Sequence, residues 1–271
     1  MTPPSQNPNE ALLLSAVQKL VPLLDRLAFV GGCVTGLLVT DPGAAPVRST
    51  SDVDAIVELA STVGFGFTDA FLKEQESQPA AAPVRPTGDI DAVTGAASYH
   101  ELIKIEEELR RLGFRECLQE DAPRCRWMNG DLLLDLMPTN PSILGFSNRW
   151  YRPALENAQR VVIGDYEIQF ITAPYFLATK LEAFHGRGKN DFRMSHDMED
   201  IVTVLDGRPE IVEEIPLAPA DLRRYLSDEF RTLLSNRDFL EALPGHLLSD
   251  AANQQRAGIV MTRMRRLVIE E

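Results

Sequence analysis

The residues best suited to chemistry are two carboxylates spaced one apart, Asp52 and Asp54, in the stretch Arg48-Ser-Thr-Ser-Asp-Val-Asp-Ala-Ile-Val57. The β-branched residues behind them predict a strand. Side chains alternate faces along a strand, so Asp52 and Asp54 point the same way. Two carboxylates side by side repel each other unless a cation sits between them. Upstream, Phe29-Val-Gly-Gly-Cys-Val-Thr-Gly-Leu-Leu38 predicts a short apolar strand, a glycine turn and a buried helix over 33–39. Gly31 and Gly32 permit close approach to the backbone, and free N–H groups at the start of a helix suit an anion such as phosphate. A third carboxylate, Asp135, interrupts the apolar run Leu132-Leu-Leu-Asp-Leu-Met137, where burial without a partner is costly. If its strand neighbours the first, Asp52, Asp54 and Asp135 would hold one or two magnesium ions. Phosphoryl and nucleotidyl transfer depend mainly on such positioning and charge neutralisation.

Downstream, Lys180 lies on an apolar helix between Leu177 and Leu181. It would neutralise a triphosphate or the transition state, unless its stem merely carries the charge to the surface. Arg187, Lys189 and Arg193 would join it from a mobile basic loop over 185–190 and the residues behind, or simply be solvated. Asp197 and Asp200 share a helical face at i and i+3. They would orient Lys180 or the incoming hydroxyl, or favour the helix N-terminus. His196 reads as a surface or capping residue, and His100, His185 and His246 are too scattered for a metal site.

These residues need a scaffold, and the chain supplies one in order. Residues 1–8 are rich in Pro and Asn and predict disorder. Asn9 reads as an N-cap for a helix bearing Leu13, Val17, Leu20, Leu24 and Leu27, kinked or ended at Pro22. The segment Ala45-Pro-Val-Arg-Ser-Thr-Ser-Asp-Val-Asp-Ala55 returns as Ala82-Pro-Val-Arg-Pro-Thr-Gly-Asp-Ile-Asp-Ala92. This is a local duplication or insertion over about 58–94, and it makes Asp89 and Asp91 a rival to Asp52 and Asp54. The first copy is the better strand, because Ile56 and Val57 follow it. The second runs into a helix over Tyr99–Leu112, closed by Gly113. Cys125–Met128 and Leu132–Met137, joined at Asn129-Gly130, predict a hairpin, and a second hairpin is predicted within 161–171. From Ala173 the pattern is helical. Ser195 caps a helix from His196 to Leu205, and further helices fall around 218–242 and 251–268.

Composition narrows the classes. A net charge of −13 argues against a general nucleic-acid coat, although a local basic groove remains compatible with RNA. Three cysteines, Cys33, Cys117 and Cys125, fit neither a zinc site nor a disulfide framework, and a reducing, cytoplasmic setting is expected. No continuous apolar stretch is long enough to span a membrane.

Gly31, Gly32, Asp52, Asp54 and Asp135 resemble the pattern of the DNA-polymerase-β-like nucleotidyltransferase superfamily. Val30-Gly-Gly32, Arg48–Asp54, Ala178-Thr-Lys-Leu-Glu-Ala183 and Ser195-His-Asp-Met-Glu-Asp-Ile201 look like the AbiEii/MenT type of bacterial nucleotidyltransferase toxin within it. The resemblance implies an α+β fold: a mixed sheet with flanking helices over 9–172, then a helical part over 173–271. It implies magnesium-dependent transfer of a nucleoside monophosphate from a nucleoside triphosphate. Asp52 and Asp54 would bind metal, and Asp135 would complete the site or act as base. Gly31, Gly32, Arg48 and Lys180 would hold the triphosphate, and Asp197 or Asp200 is the late acidic residue. The 3′ end of tRNA is one implied acceptor, and an antitoxin an implied partner. A small hydroxyl compound such as an antibiotic, a non-catalytic nucleotide-binding protein inactivated by the insertion, and a structural α/β domain stand as alternatives.

Overall fold

The computed structural model describes residues 8–59, 90–119, 122–145, 147–188 and 190–269. Helix α1 (Glu10–Leu20) buries Leu13, Ala16, Val17 and Leu20. Pro22 ends it, and the chain tightens into a 3-10 turn over Val21–Arg26, where proline's missing N–H is tolerated near the start. Asn9 does not cap α1 with its side chain. That side chain reaches across to the glycine turn and to the backbone ahead of Asp52.

Seven strands form one mixed sheet among the described residues: β1 (Leu27–Val30), β2 (Asp52–Val57), β3 (Arg115–Glu116), β4 (Arg126–Asn129), β5 (Leu132–Pro138), β6 (Gln159–Ile163) and β7 (Tyr166–Phe170). Their order is β3-β4-β5-β2-β1-β7-β6. All four residues of β1, at the centre, are apolar and buried, as a strand covered on two sides requires. β1 is antiparallel to β2 and parallel to β7, and β2 is parallel to β5. The two expected hairpins, β4–β5 and β6–β7, flank this centre. Their turns carry glycines with positive φ, Gly130 at 63° and Gly164 at 60°.

Helices cover the sheet and build the C-terminal part: α2 (Thr35–Leu38), α3 (Ile90–Arg111), α4 (Pro141–Leu144), α5 (Tyr151–Glu156), α6 (Ala173–Arg187), α7 (His196–Gly207), α8 (Ile211–Leu217), α9 (Ala220–Ser235), α10 (Arg237–Ala242) and α11 (Ala251–Leu267). Helix α6 is apolar nearly all round and buried from Ala173 to Leu181, so Lys180 lies inside the protein. One continuous hydrophobic core runs from Leu13 in α1 to Leu267 in α11. The expected class, a mixed α+β sheet with flanking helices followed by a helical part, is the observed one.

Three expectations change. Helix α3 begins at Ile90 rather than Tyr99, so Asp91 lies on helical backbone and not on a second Asp-x-Asp strand. Asp89, the rest of the segment over 60–89 and residues 1–7 lie outside the described residues. The basic loop expected from His185 is shorter, because His185, Gly186 and Arg187 form the last turn of α6. Helices α4, α5 and α8 are additional to those expected; α8 carries Pro216 within it. Among the described residues no helix is long and apolar enough to cross a membrane.

Candidate functional site

A cleft of about 740 Å³ opens between the C-terminal side of the glycine turn, the sheet and the α6–α7 pair. Asp52, Asp54 and Asp135 line one side, Lys180 and Asp197 the other, and Gly32, Arg48 and Thr50 close one end.

The sheet wall follows from register. Parallel pairing sets Asp54 directly beside Asp135, and antiparallel pairing sets Asp135 directly beside Arg126. The Arg126 guanidinium answers the cost of placing a carboxylate in an apolar strand. Its Nε donates to Asp135 Oδ1 and its Nη2 to Asp135 Oδ2, both at 2.7 Å. The same Nη2 donates to Asp52 Oδ2 at 2.6 Å. Such a two-pronged fit is the strong form of a charged hydrogen bond. The hydrogen bonds Arg126 donates to Asp135 first, and then the charges of Asp135 and Asp52, raise the guanidinium's pKa above its ordinary value. Thr50 Oγ1 donates to the other Asp52 oxygen at 2.9 Å.

Asp54 differs from both. Among the described residues its carboxylate has no hydrogen-bond or ion-pair partner. Burial, and then the neighbouring Asp52 charge, push its pKa up to about 7, although Lys180 pulls the other way. Gly31 packs against it. The glycine has φ 70°, and a Cβ there would collide with the Asp54 carboxylate. The close approach that glycine makes possible is therefore to the protein's own aspartate. A Cβ at Gly32 would meet Arg48 and Thr50 side chains at ordinary contact distances of 3.4–3.5 Å.

The helix wall is an ion-pair network. Lys180 is only 7% exposed. Its Nζ lies 3.1 Å from Asp197 Oδ1 and 2.6 Å from Asp200 Oδ2. Burial alone would lower the Lys180 pKa, but the Asp200 and Asp197 charges outweigh it and hold the ammonium above its ordinary range. Arg187 donates two hydrogen bonds of 2.9 Å to Asp197 from the end of α6. Burial would raise Asp197, but the hydrogen bonds it accepts from Arg187 and the Lys180 charge hold it below the ordinary carboxylate value. Ser195 caps α7 as expected, its Oγ accepting from Met198 N, and this fixes the turn that presents Asp197 and Asp200. Arg48 reaches the same helix, 3.4 Å from both Glu199 and Asp200.

Asn9 ties the two halves of the glycine–aspartate unit together. It is 1% exposed, donates to the carbonyls of Gly32 and Arg48, and accepts from Thr50 N at 2.9 Å. The other expected candidates lie apart. Arg193 pairs with Glu241, His196 is exposed beside Glu199, and Lys189 lies outside the described residues. Cys33, Cys117 and Cys125 are free thiols; burial pushes Cys125 up to about 12 and Cys33 higher still.

Sequence reasoning brought Asp52, Asp54, Asp135, Lys180, Asp197, Gly32 and Arg48 to one cleft, with Gly31 and Asp200 directly behind it. It missed Arg126. The signal was present in the hairpin. Counting outward from the turn, the third residue before Asn129 is Arg126 and the third after Leu132 is Asp135, and equal counts place them opposite each other. Among the described residues no group of three or more acidic, histidine or cysteine side chains is arranged to hold a metal. Arg126 lies across Asp52 and Asp135, two of the three carboxylates expected to hold metal.

No family model matches the chain, and no curated protein matches it in sequence. Among solved structures it is similar to an antigenic nucleotidyltransferase-like protein from Paracoccidioides brasiliensis, at 16% identity and a TM-score of 0.41, over 88% of this chain and 92% of that one. A likeness of that degree assigns no role to any residue of this chain.

Proposed function

We propose that this chain is a magnesium-dependent nucleotidyltransferase that moves a nucleoside monophosphate from a nucleoside triphosphate to a hydroxyl acceptor. The observation that carries the reading is the Asp52–Asp54 pair on one face of β2, with Asp54 unpartnered among the described residues in a cleft that Lys180 also lines. Magnesium is commonly held by one or two carboxylates, with substrate phosphates and water supplying the other oxygens. Two carboxylates fit that habit, and a cation beside Asp54 would relieve its repulsion with Asp52. Asp52 and Asp54 are therefore the residues that would hold the ion, which supplies charge neutralisation at the phosphates when bound.

The chain's own residues do the rest. Lys180, held by Asp197 and Asp200, sets a fixed positive charge toward the triphosphate. Arg48 and the backbone at Gly32 lie along the same end of the cleft. In the transfer the acceptor oxygen bonds to the α-phosphorus, the bond from the α-phosphorus to the bridging oxygen breaks, pyrophosphate leaves and the hydroxyl proton passes to solvent water. Asp135 holds Arg126 with both oxygens, so its place in this reading is structural support of that guanidinium.

The finer reading takes the 3′ end of tRNA as acceptor, with an antitoxin restraining a toxin. It is supported by the motif resemblance and by the Arg187 side chain, 73% exposed at the cleft. The test is transfer of α-labelled nucleotide to total tRNA with each of four nucleoside triphosphates and magnesium. Labelled tRNA that is lost in D52N and D54N supports the whole reading. Label on a small hydroxyl compound instead would keep the transferase and remove the tRNA acceptor. Magnesium-dependent nucleotide binding with no transfer to any acceptor would favour the non-catalytic alternative.

A further inference from the structure

Resting on the nucleotidyltransferase reading, we infer that the Arg126 guanidinium is a built-in cation that takes the place of a second metal ion between Asp52 and Asp135. Two-metal sites use a carboxylate shared between the two ions to hold them a few ångströms apart. Here Asp52 is the carboxylate available for sharing, and Asp135 is the outer one. The position between them is filled by Arg126, at 2.6 Å from Asp52 and 2.7 Å from both oxygens of Asp135. The guanidinium is fixed by strand register rather than by a flexible arm, since Arg126 and Asp135 are direct antiparallel partners. It stays charged at any working pH, and Asp52 and Asp135 raise its pKa further.

This arrangement divides the three carboxylates unequally. Arg126 occupies both oxygens of Asp135 and one of Asp52, while Asp54 stays unpartnered among the described residues. The site then takes one divalent ion, at Asp52 and Asp54, together with the triphosphate. Asp135 acts through Arg126 as a positioning residue and is not a metal ligand. Arg126 also lines the cleft.

The test counts metal rather than product. The full chain is dialysed against manganese(II) with a mixture of the four α,β-methylene nucleoside triphosphates, and bound manganese and bound nucleotide are measured in the same samples. The inference expects one manganese per bound nucleotide in the wild type and in D135N, with affinities within about threefold of each other, and two per nucleotide in R126Q. Two manganese ions in the wild type would overturn it, as would a folded R126Q that still binds one. If R126Q does not fold, D135N decides: a tenfold or larger loss of manganese affinity makes Asp135 a ligand and ends the inference. Wild type that binds neither manganese nor nucleotide would instead bring down the nucleotidyltransferase reading on which the inference rests.

Discussion

The two walls of the cleft solve the problem of packed charge in opposite ways. On the helix wall each buried charge is matched: Lys180 sits between Asp197 and Asp200, Arg187 grips Asp197, and Arg48 reaches Asp200 and Glu199. On the sheet wall three carboxylates face one guanidinium, and Asp54 is left without a partner among the described residues. A balanced network holds a shape, whereas an unbalanced one holds a place for something positive. In the proposed reading the α6–α7 pair holds Lys180 rigidly toward the triphosphate, and β2 offers the place for a cation. Removing a charge should therefore damage the fold on one wall and relax it on the other.

The largest effect is expected at Lys180. Replacing it with methionine keeps the stem but strands two buried aspartates. Breaking a buried ion pair from one side costs about 3–5 kcal/mol, so K180M should lose about that much in a denaturant titration. A loss below about 1 kcal/mol would mean that the helix wall is open to water. Next is Gly31→Ala. The left-handed backbone costs about 1–3 kcal/mol for a residue with a Cβ, and the collision with Asp54 adds to it. Thermal unfolding of G31A, beside G32A as the milder control, checks this; equal losses would contradict the contact with Asp54.

The sign should reverse at Asp54. Its folded pKa, about 7, lies above the ordinary 3.8, so the folded state holds the proton more tightly than the unfolded chain. Stability from this group is full below pH 3.8 and is lost as pH rises through about 7. D54N, which cannot ionise, should show no advantage near pH 4 and melt about 2–4 °C above wild type at pH 8, the shift expected of roughly 1 kcal/mol in a chain of this size. A melting temperature below wild type at pH 8 would mean that Asp54 has a partner. The smallest effect belongs to Arg187, whose side chain is mostly exposed. R187A should cost no more than about 1 kcal/mol, because Lys180 still pairs with the buried Asp197 and Arg187 itself is mostly exposed.

How much of this was legible in the sequence depended on how far apart the interacting residues lie. Short-range order was readable: the β4–β5 and β6–β7 hairpins announce themselves through turn glycines, and Ser195 announces α7. The i, i+3 spacing of Asp197 and Asp200 fixed their shared face before any contact with Lys180 was visible. The Asp54–Asp135 register was not readable, because parallel strands have no turn from which to count. Asn9 misled for a related reason. Asparagine ahead of an apolar helix suits a cap, and nothing local reveals that its partners are Gly32, Arg48 and Thr50. The repeated segment misled least. Ile56 and Val57 mark the first copy as the strand, and the copy lacking such residues leads into α3.

The central claim is that Asp52 and Asp54 form a place for a cation and a triphosphate, and calorimetry tests it without knowledge of the acceptor. Nucleoside triphosphate is titrated into wild type and D54N, each with magnesium and with chelator. The account predicts binding in the wild type that requires magnesium and is lost in a folded D54N. Equal binding in both proteins, or binding indifferent to magnesium, would contradict it.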